Sequence, residues 1–229
     1  MRGTVIAIDG PVGAGKSTVA QLLATRLGYF YLDTGLLYRA LTWKALEQQI
    51  DVSDADALAE LAGSLNVSIQ PPSINDGRLN DVRIDGQDVS PALRSPAVDA
   101  NVSAISAHPS VRAALIEPQR RALRLPGTVV AGRDIGTVIF PDADVKIYLD
   151  ANLEERARRR LSQRGAWSEA GLVQTLEQIR ERDRVDSTRA VAPLQASPDA
   201  LVIDTDDIAP QQVVQRIMEV LDARRGSNA

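Results

Sequence analysis

The chain has no cysteine and one histidine, His108. The first absence excludes disulfides and thiolate metal sites. The second excludes His-rich zinc sites and argues against a Ser-His-Asp hydrolase. Aromatic residues are only 3% of the chain and the formal net charge is −4. Rings for stacking bases are therefore scarce and the charge has the wrong sign for a bulk polyanion binder, so no nucleic-acid partner is expected. No stretch approaches the roughly 18 apolar residues of a membrane span. The N-terminal residues enter an apolar run without the basic and apolar regions of a signal peptide. A cytoplasmic protein with no membrane contact is expected, and with no extended apolar surface evident, a monomer. The patterns DxxG and NKxD of switch GTPases do not occur. Lysine is scarce too: only Lys16, Lys44 and Lys146, against 23 arginines.

Against that scarcity, one lysine stands in a telling place. Gly10-Pro11-Val12-Gly13-Ala14-Gly15-Lys16-Ser17-Thr18 follows the apolar run Val5–Asp9 and precedes Val19-Ala20-Gln21-Leu22-Leu23. This is GxxxxGK[ST] between strand and helix, the setting of a phosphate-binding loop. Its glycines let the backbone turn with positive φ and bring amide N–H groups onto phosphate oxygens. The following helix adds the positive end of its dipole. Lys16 supplies a mobile cation for the β- and γ-phosphates of ATP, and Ser17 a hydroxyl for Mg²⁺.

Five short apolar runs read as buried parallel strands: Val5–Asp9, Tyr29–Leu32, Thr128–Ala131, Val145–Leu149 and Leu201–Ile203. Helical patterns at Lys16–Leu27, Gly35–Glu47, Ser110–Leu123, Leu153–Gln163, Glu169–Arg184 and Pro210–Ala223 separate them. The alternation predicts an α/β fold, a five-stranded doubly wound parallel sheet with ligands at the carboxyl ends of its strands. Between about residues 65 and 90 the pattern changes. Val67-Ser68-Ile69 and Val82-Arg83-Ile84 alternate, and Asn75-Asp76-Gly77 and Asp85-Gly86 are hairpin-type turns. A small antiparallel insert is predicted there.

Two further segments follow strands and so face the same edge of the sheet. In Asp33-Thr34-Gly35-Leu36-Leu37-Tyr38-Arg39, Thr34 is placed to cap a helix whose N-terminus suits a second phosphate, with Arg39 as its bidentate partner. In Gly132-Arg133-Asp134-Ile135-Gly136-Thr137, Arg133 is expected on an acceptor phosphate, and Asp134 on the acceptor nucleoside or a magnesium-bound water. Two groups of arginines, 156, 158, 159, 160 and 164, then 180, 182, 184 and 189, flank the helix break Gln163-Arg164-Gly165-Ala166. Together they read as a lid that closes over phosphates and excludes water. The result is a small kinase, or, with less support, a nucleotide-binding module without turnover.

These residues resemble the bacterial cytidylate kinases, a family of P-loop nucleoside monophosphate kinases. The match is carried by Ile8-Asp9-Gly10-Pro11 with the phosphate loop, Leu32–Gly35 through Tyr38-Arg39, and Gly132–Thr137. It continues through Phe140-Pro141-Asp142-Ala143, Glu181-Arg182-Asp183 and Arg189-Ala190-Val191-Ala192-Pro193-Leu194. The resemblance implies transfer of the γ-phosphoryl of ATP to CMP or dCMP with Mg²⁺. It implies a core of residues 1–32 and 113–229 with a lid at about 155–170, and an acceptor-binding domain at 33–112 whose insert is a three-stranded sheet. It places Arg39, Arg133 and Arg182 on the acceptor phosphate. Ser103, Arg112 and Arg189 fall on cytosine with Asp134 nearby, and Asp186 on the sugar hydroxyls. Lys16 bridges the phosphates, and Arg158 acts with Arg182 in the closed lid. Thr34 stands where the family often has serine. Kinases of AMP, shikimate or dephospho-coenzyme A remain the rival readings.

Overall fold

The computed structural model describes residues 3–165 and 167–226. Strand β1 (Thr4–Asp9) leads through the glycine-rich loop into α1 (Lys16–Leu27), which ends where Gly28 turns left-handed at φ 67°. β2 (Phe30–Asp33) and α2 (Gly35–Glu47) follow, then α3 (Ala55–Ser64). β3 (Val67–Gln70), β4 (Asp81–Ile84) and β5 (Gln87–Asp88) make a separate antiparallel sheet in the order β3-β4-β5. α4 (Pro96–Ala107) and α5 (Pro109–Arg121) lead back to β6 (Gly127–Ala131). β7 (Val145–Asp150), α6 (Leu153–Arg164), α7 (Glu169–Thr188), β8 (Leu201–Asp204) and α8 (Pro210–Gly226) complete the chain. The main sheet is five-stranded and wholly parallel, in the order β2-β6-β1-β7-β8. All five predicted strands are present, as is the insert.

The strands are apolar throughout because both faces of the sheet are covered. In β1, Ile6 and Ile8 pack with Leu23, Ala24, Val213 and Ile217 under α1 and α8. Val5 and Ala7 point the other way, into a cluster with Leu37 and Ala40 of α2 and with Ile69, Val82, Ile84 and Val89 of the insert. The insert therefore buttresses the main sheet. Asn80 donates from Nδ2 to the Tyr31 carbonyl at 2.8 Å, and Arg124 stacks 4.8 Å over the Phe30 ring while bonding the Ile69 carbonyl. A third cluster, with Leu41, Leu58, Val102, Ile105 and Leu115, joins α2, α3, α4 and α5 apart from the sheet.

Three features differ from expectation. Helices α3 and α4 occupy stretches not predicted as helical; Asp54 caps one through the Ala57 amide and Ser95 the other through the Val98 amide. α7 runs on to Thr188, past the predicted end at Arg184, and carries Asp186 on its last turn. Thr34 does not cap α2: its hydroxyl donates instead to the Ala131 carbonyl at 3.0 Å, because β2 and β6 are neighbours. Asp33 bonds the Gly35 amide in its place. In the predicted break between α6 and α7, Ala166 lies outside the described residues. Trp167 follows it with 62% of its surface exposed, whereas Trp43 of α2 is packed against the cluster under the sheet.

Candidate active site

A cleft of about 630 Å³ opens at the carboxyl ends of β1, β2 and β6. It is lined on one side by the glycine-rich loop with Lys16, Ser17 and Thr18, and on the other by Thr34, Arg39, Arg112, Arg133, Asp134, Arg182, Asp186 and Arg189.

On the loop side, Gly10 has φ 144° and a Cβ there would fall 2.0 Å from the Leu149 carbonyl oxygen. At Gly13, φ is 82° and a Cβ would meet the Cβ and carbonyl oxygen of Arg156 at 2.8 Å. The loop thus needs glycine for its own turn and for the close approach of α6. Pro11, Val12 and Ala14 fill the curve between, and Gly15 precedes the first turn of α1 in a left-handed conformation. Lys16 Nζ donates to the carbonyls of Gly10 and Pro11 at 2.7 and 2.6 Å. Burial holds its pKa well below the ordinary lysine value, Arg133 adds to the shift, and Asp33 and Asp9 oppose it. Ser17 and Thr18 are exposed at the start of α1. Thr205, just past β8, was not singled out by sequence reasoning. It bonds both the Ala14 carbonyl and Arg159, so Arg159, Asp207 and Ile208 rim the cleft beside the loop.

Arg156 ties the first turn of α6 to the same loop. Its guanidinium bonds the Ala151 and Val12 carbonyls and pairs with Asp183 of α7 at 2.6 Å.

The other side is a chain of alternating charges. Arg133 pairs with Asp186 at 3.1 Å, Asp186 with Arg189 at 3.2 Å, and Asp134 with Arg112, whose guanidinium lies 5.3 Å over the Tyr38 ring. Burial and the neighbouring Arg133 bring the pKa of Arg182 down to about 10. Burial and then Arg112 also lower that of Arg189. Arg112 is itself raised, since Tyr38 and Asp134 outweigh the effect of burial. Three guanidinium nitrogens here, Arg112 Nε, Arg182 Nε and Arg189 Nη2, are buried without a hydrogen-bond partner. Buried donors left so cost about 1–3 kcal/mol each, and the cost is recovered when an anion binds. Arg39 is held at 2.7 Å by Asp99 and at 2.8 Å by the Leu93 carbonyl.

Two expected residues lie elsewhere. Ser103 is outside the cleft lining; Ser106, one turn on in α4, lines it together with Val102, and its carbonyl accepts from Arg112. Arg158 points outward from α6, its side chain 57% exposed, and its neighbours Arg159 and Arg160 line the cleft.

Residues 6–223 match the family model described as cytidylate kinase. The chain is 49% identical to a cytidylate kinase of Symbiobacterium thermophilum, over 95% of each chain. It is 46% identical to one of Geobacillus thermodenitrificans, over 98% of this chain and 99% of that one. It is also 47% identical to a bifunctional pantoate ligase/cytidylate kinase of Synechocystis, of which it covers 42%.

Proposed function

This chain belongs to the cytidylate kinase family, and from that premise we propose how its cleft phosphorylates CMP, and dCMP as well, at the expense of ATP. The observation that carries the reading is the pairing of a glycine-rich loop with three arginines across one cleft, each with one buried guanidinium nitrogen that lacks a hydrogen-bond partner. A donor triphosphate fits the loop side. Its charge would favour the ammonium form of Lys16 against the effect of burial, and draw Nζ from the two carbonyls it now bonds. The acceptor phosphate fits between Arg39, Arg133 and Arg182.

The nucleophile is an oxygen of the acceptor phosphate, already ionised, so the protein needs no general base. Its work is positioning and charge stabilisation: Arg133 and Arg182, with Lys16, surround the phosphoryl group in transit. Arg158 joins them when the lid closes. Arg112, Arg189 and Asp134 offer a pocket for the base, in which an unmatched edge leaves buried polar groups unpaired. Asp186 receives the sugar hydroxyls, and Ser103 is drawn towards the base by movement of α4. Among the described residues no group of three or more His, Asp or Glu side chains is arranged to hold a metal ion. Mg²⁺ would then rest on the Ser17 hydroxyl, phosphate oxygens and water, the ordinary pattern for this ion, and would neutralise charge on the phosphates. No helix among the described residues is long and apolar enough to cross a membrane. We infer a cytoplasmic monomer.

Coupled ADP release with ATP and Mg²⁺, against CMP, dCMP, UMP, AMP and GMP, tests this. Turnover led by CMP and dCMP supports it. Turnover led by a purine monophosphate, or none that depends on acceptor, overturns it.

A further inference from the structure

Asp9 ends β1 immediately before the glycine-rich loop and is only 4% exposed. It does not line the cleft. Its carboxylate is directed at backbone: Oδ1 accepts the Ile135 amide at 2.8 Å and Oδ2 the Gly136 amide at 2.7 Å. Those amides begin the wide turn Ile135–Ile139, whose other end is held by the Asp134 carbonyl through the Val138 and Ile139 amides. Arg133 and Asp134 immediately precede this turn. One residue away in the other direction, the Gly10 carbonyl holds Lys16. A single buried carboxylate thus joins the loop that receives the donor to the loop that presents Arg133 and Asp134.

The link is closely fitted. A Cβ at Gly136 would come into ordinary contact with Asp9 Oδ2 at 3.4 Å and stand closer, 3.1 Å, to Lys146 Cδ, so glycine leaves this approach free of side-chain crowding. A carboxylate suits the place because it accepts two bonds without donating, whereas an amide side chain would set an N–H against an N–H.

We propose that Asp9 is a positioning residue for phosphoryl transfer, setting the placement of Arg133 and Asp134 relative to the donor-phosphate loop through the Ile135 and Gly136 amides. The proposal rests on the cytidylate kinase reading above for its substrates, but not for the contact itself.

The test compares wild type, D9N and G136A. For D9N, KM for CMP rises about tenfold and kcat falls, while the dissociation constant for Mg·ATP, measured without acceptor, stays within threefold. G136A sets a methyl against Lys146 and at contact distance from Asp9 Oδ2, and shows the same split in milder form. Equal losses for ATP and CMP in the two folded variants, or unchanged CMP kinetics, overturn the proposal. The two readings fail separately. Absence of CMP turnover by the wild type overturns the function. The link is read without substrate, from ¹⁵N spectra in which D9N moves Arg133 and Asp134 along with Ile135 and Gly136, and leaves Gly13–Ser17 in place. Shifts that stop short of residues 133 and 134 overturn the positioning role.

Discussion

Lys16 bonds two carbonyls of its own loop in a buried setting that disfavours its charge. Lys16→Met therefore removes little that holds the fold, and a cation that a transferring phosphoryl needs. We expect kcat/KM to fall by about 10²–10³-fold with the melting temperature nearly unchanged, checked by steady-state kinetics beside thermal unfolding. Asp9 gives a prediction of opposite character. Burial, against the pull of its two amide bonds, raises its pKa from 3.8 to about 6. The folded protein thus holds a proton more tightly than the unfolded chain does. The sign follows: the ionised group costs stability above pH 6, and the cost disappears as the pH falls through 6 towards 4. It amounts to about 3 kcal/mol. D9N cannot titrate. The difference in unfolding free energy between D9N and wild type should therefore shift in favour of D9N by that order between pH 4 and pH 7. Denaturant melts at both pH values measure it, and a constant difference would contradict the burial argument.

Among the helices, α6 and α7 are joined at their base by Arg156, which spans the Val12 carbonyl, the Ala151 carbonyl and Asp183. Arg156→Ala leaves Asp183 without that partner and opens space against Gly13. We expect a loss of about 2 kcal/mol, below the 3–5 of a fully buried pair because Asp183 is partly exposed. D183N keeps an oxygen that can accept but strands the more deeply buried charge of Arg156, so it should destabilise by a similar amount; differential calorimetry of both variants checks this. The strands were readable from sequence because burial on both faces turns each into an unbroken apolar run, as in Val145–Leu149. Helices α3 and α4 were not, although their signals exist. Asp54 and Ser95 are good caps, and Pro96 sits at the first helical position, where proline starts a helix rather than breaking one. Small residues fill both helices, and only Leu58 and Ala62 in one and Val98, Val102 and Ile105 in the other are buried, so the apolar period is faint. Missing α4 had a price at the site: without its register nothing showed that Ser106, not Ser103, faces the cleft. The phosphate loop and the Arg133-Asp134 segment were readable because their chemistry is local. The contacts made by Asp9 and Thr205 were hidden, since their partners lie 126 and 191 residues away.

Among the described residues the molecule has three packed centres: one on each face of the main sheet, and one joining α2, α3, α4 and α5. The insert belongs by its apolar contacts with the sheet and with Leu37 and Ala40 of α2. The two tryptophans fall on different parts of this arrangement. Trp43 lies four residues beyond Arg39 on α2, and Trp167 is exposed just before α7. In the single-tryptophan variants W43F and W167F, acrylamide should quench the emission of Trp167 strongly and that of Trp43 weakly. Addition of both nucleotides should reduce quencher access to Trp167 as the lid comes down, and CMP alone should act chiefly on Trp43. Equal quenching of the two would contradict the exposure difference. Under the proposed function the chain thereby has one optical gauge on the helix assigned to the acceptor and another beside the proposed lid, and the order in which the two signals change during a single turnover gives the order in which those parts respond.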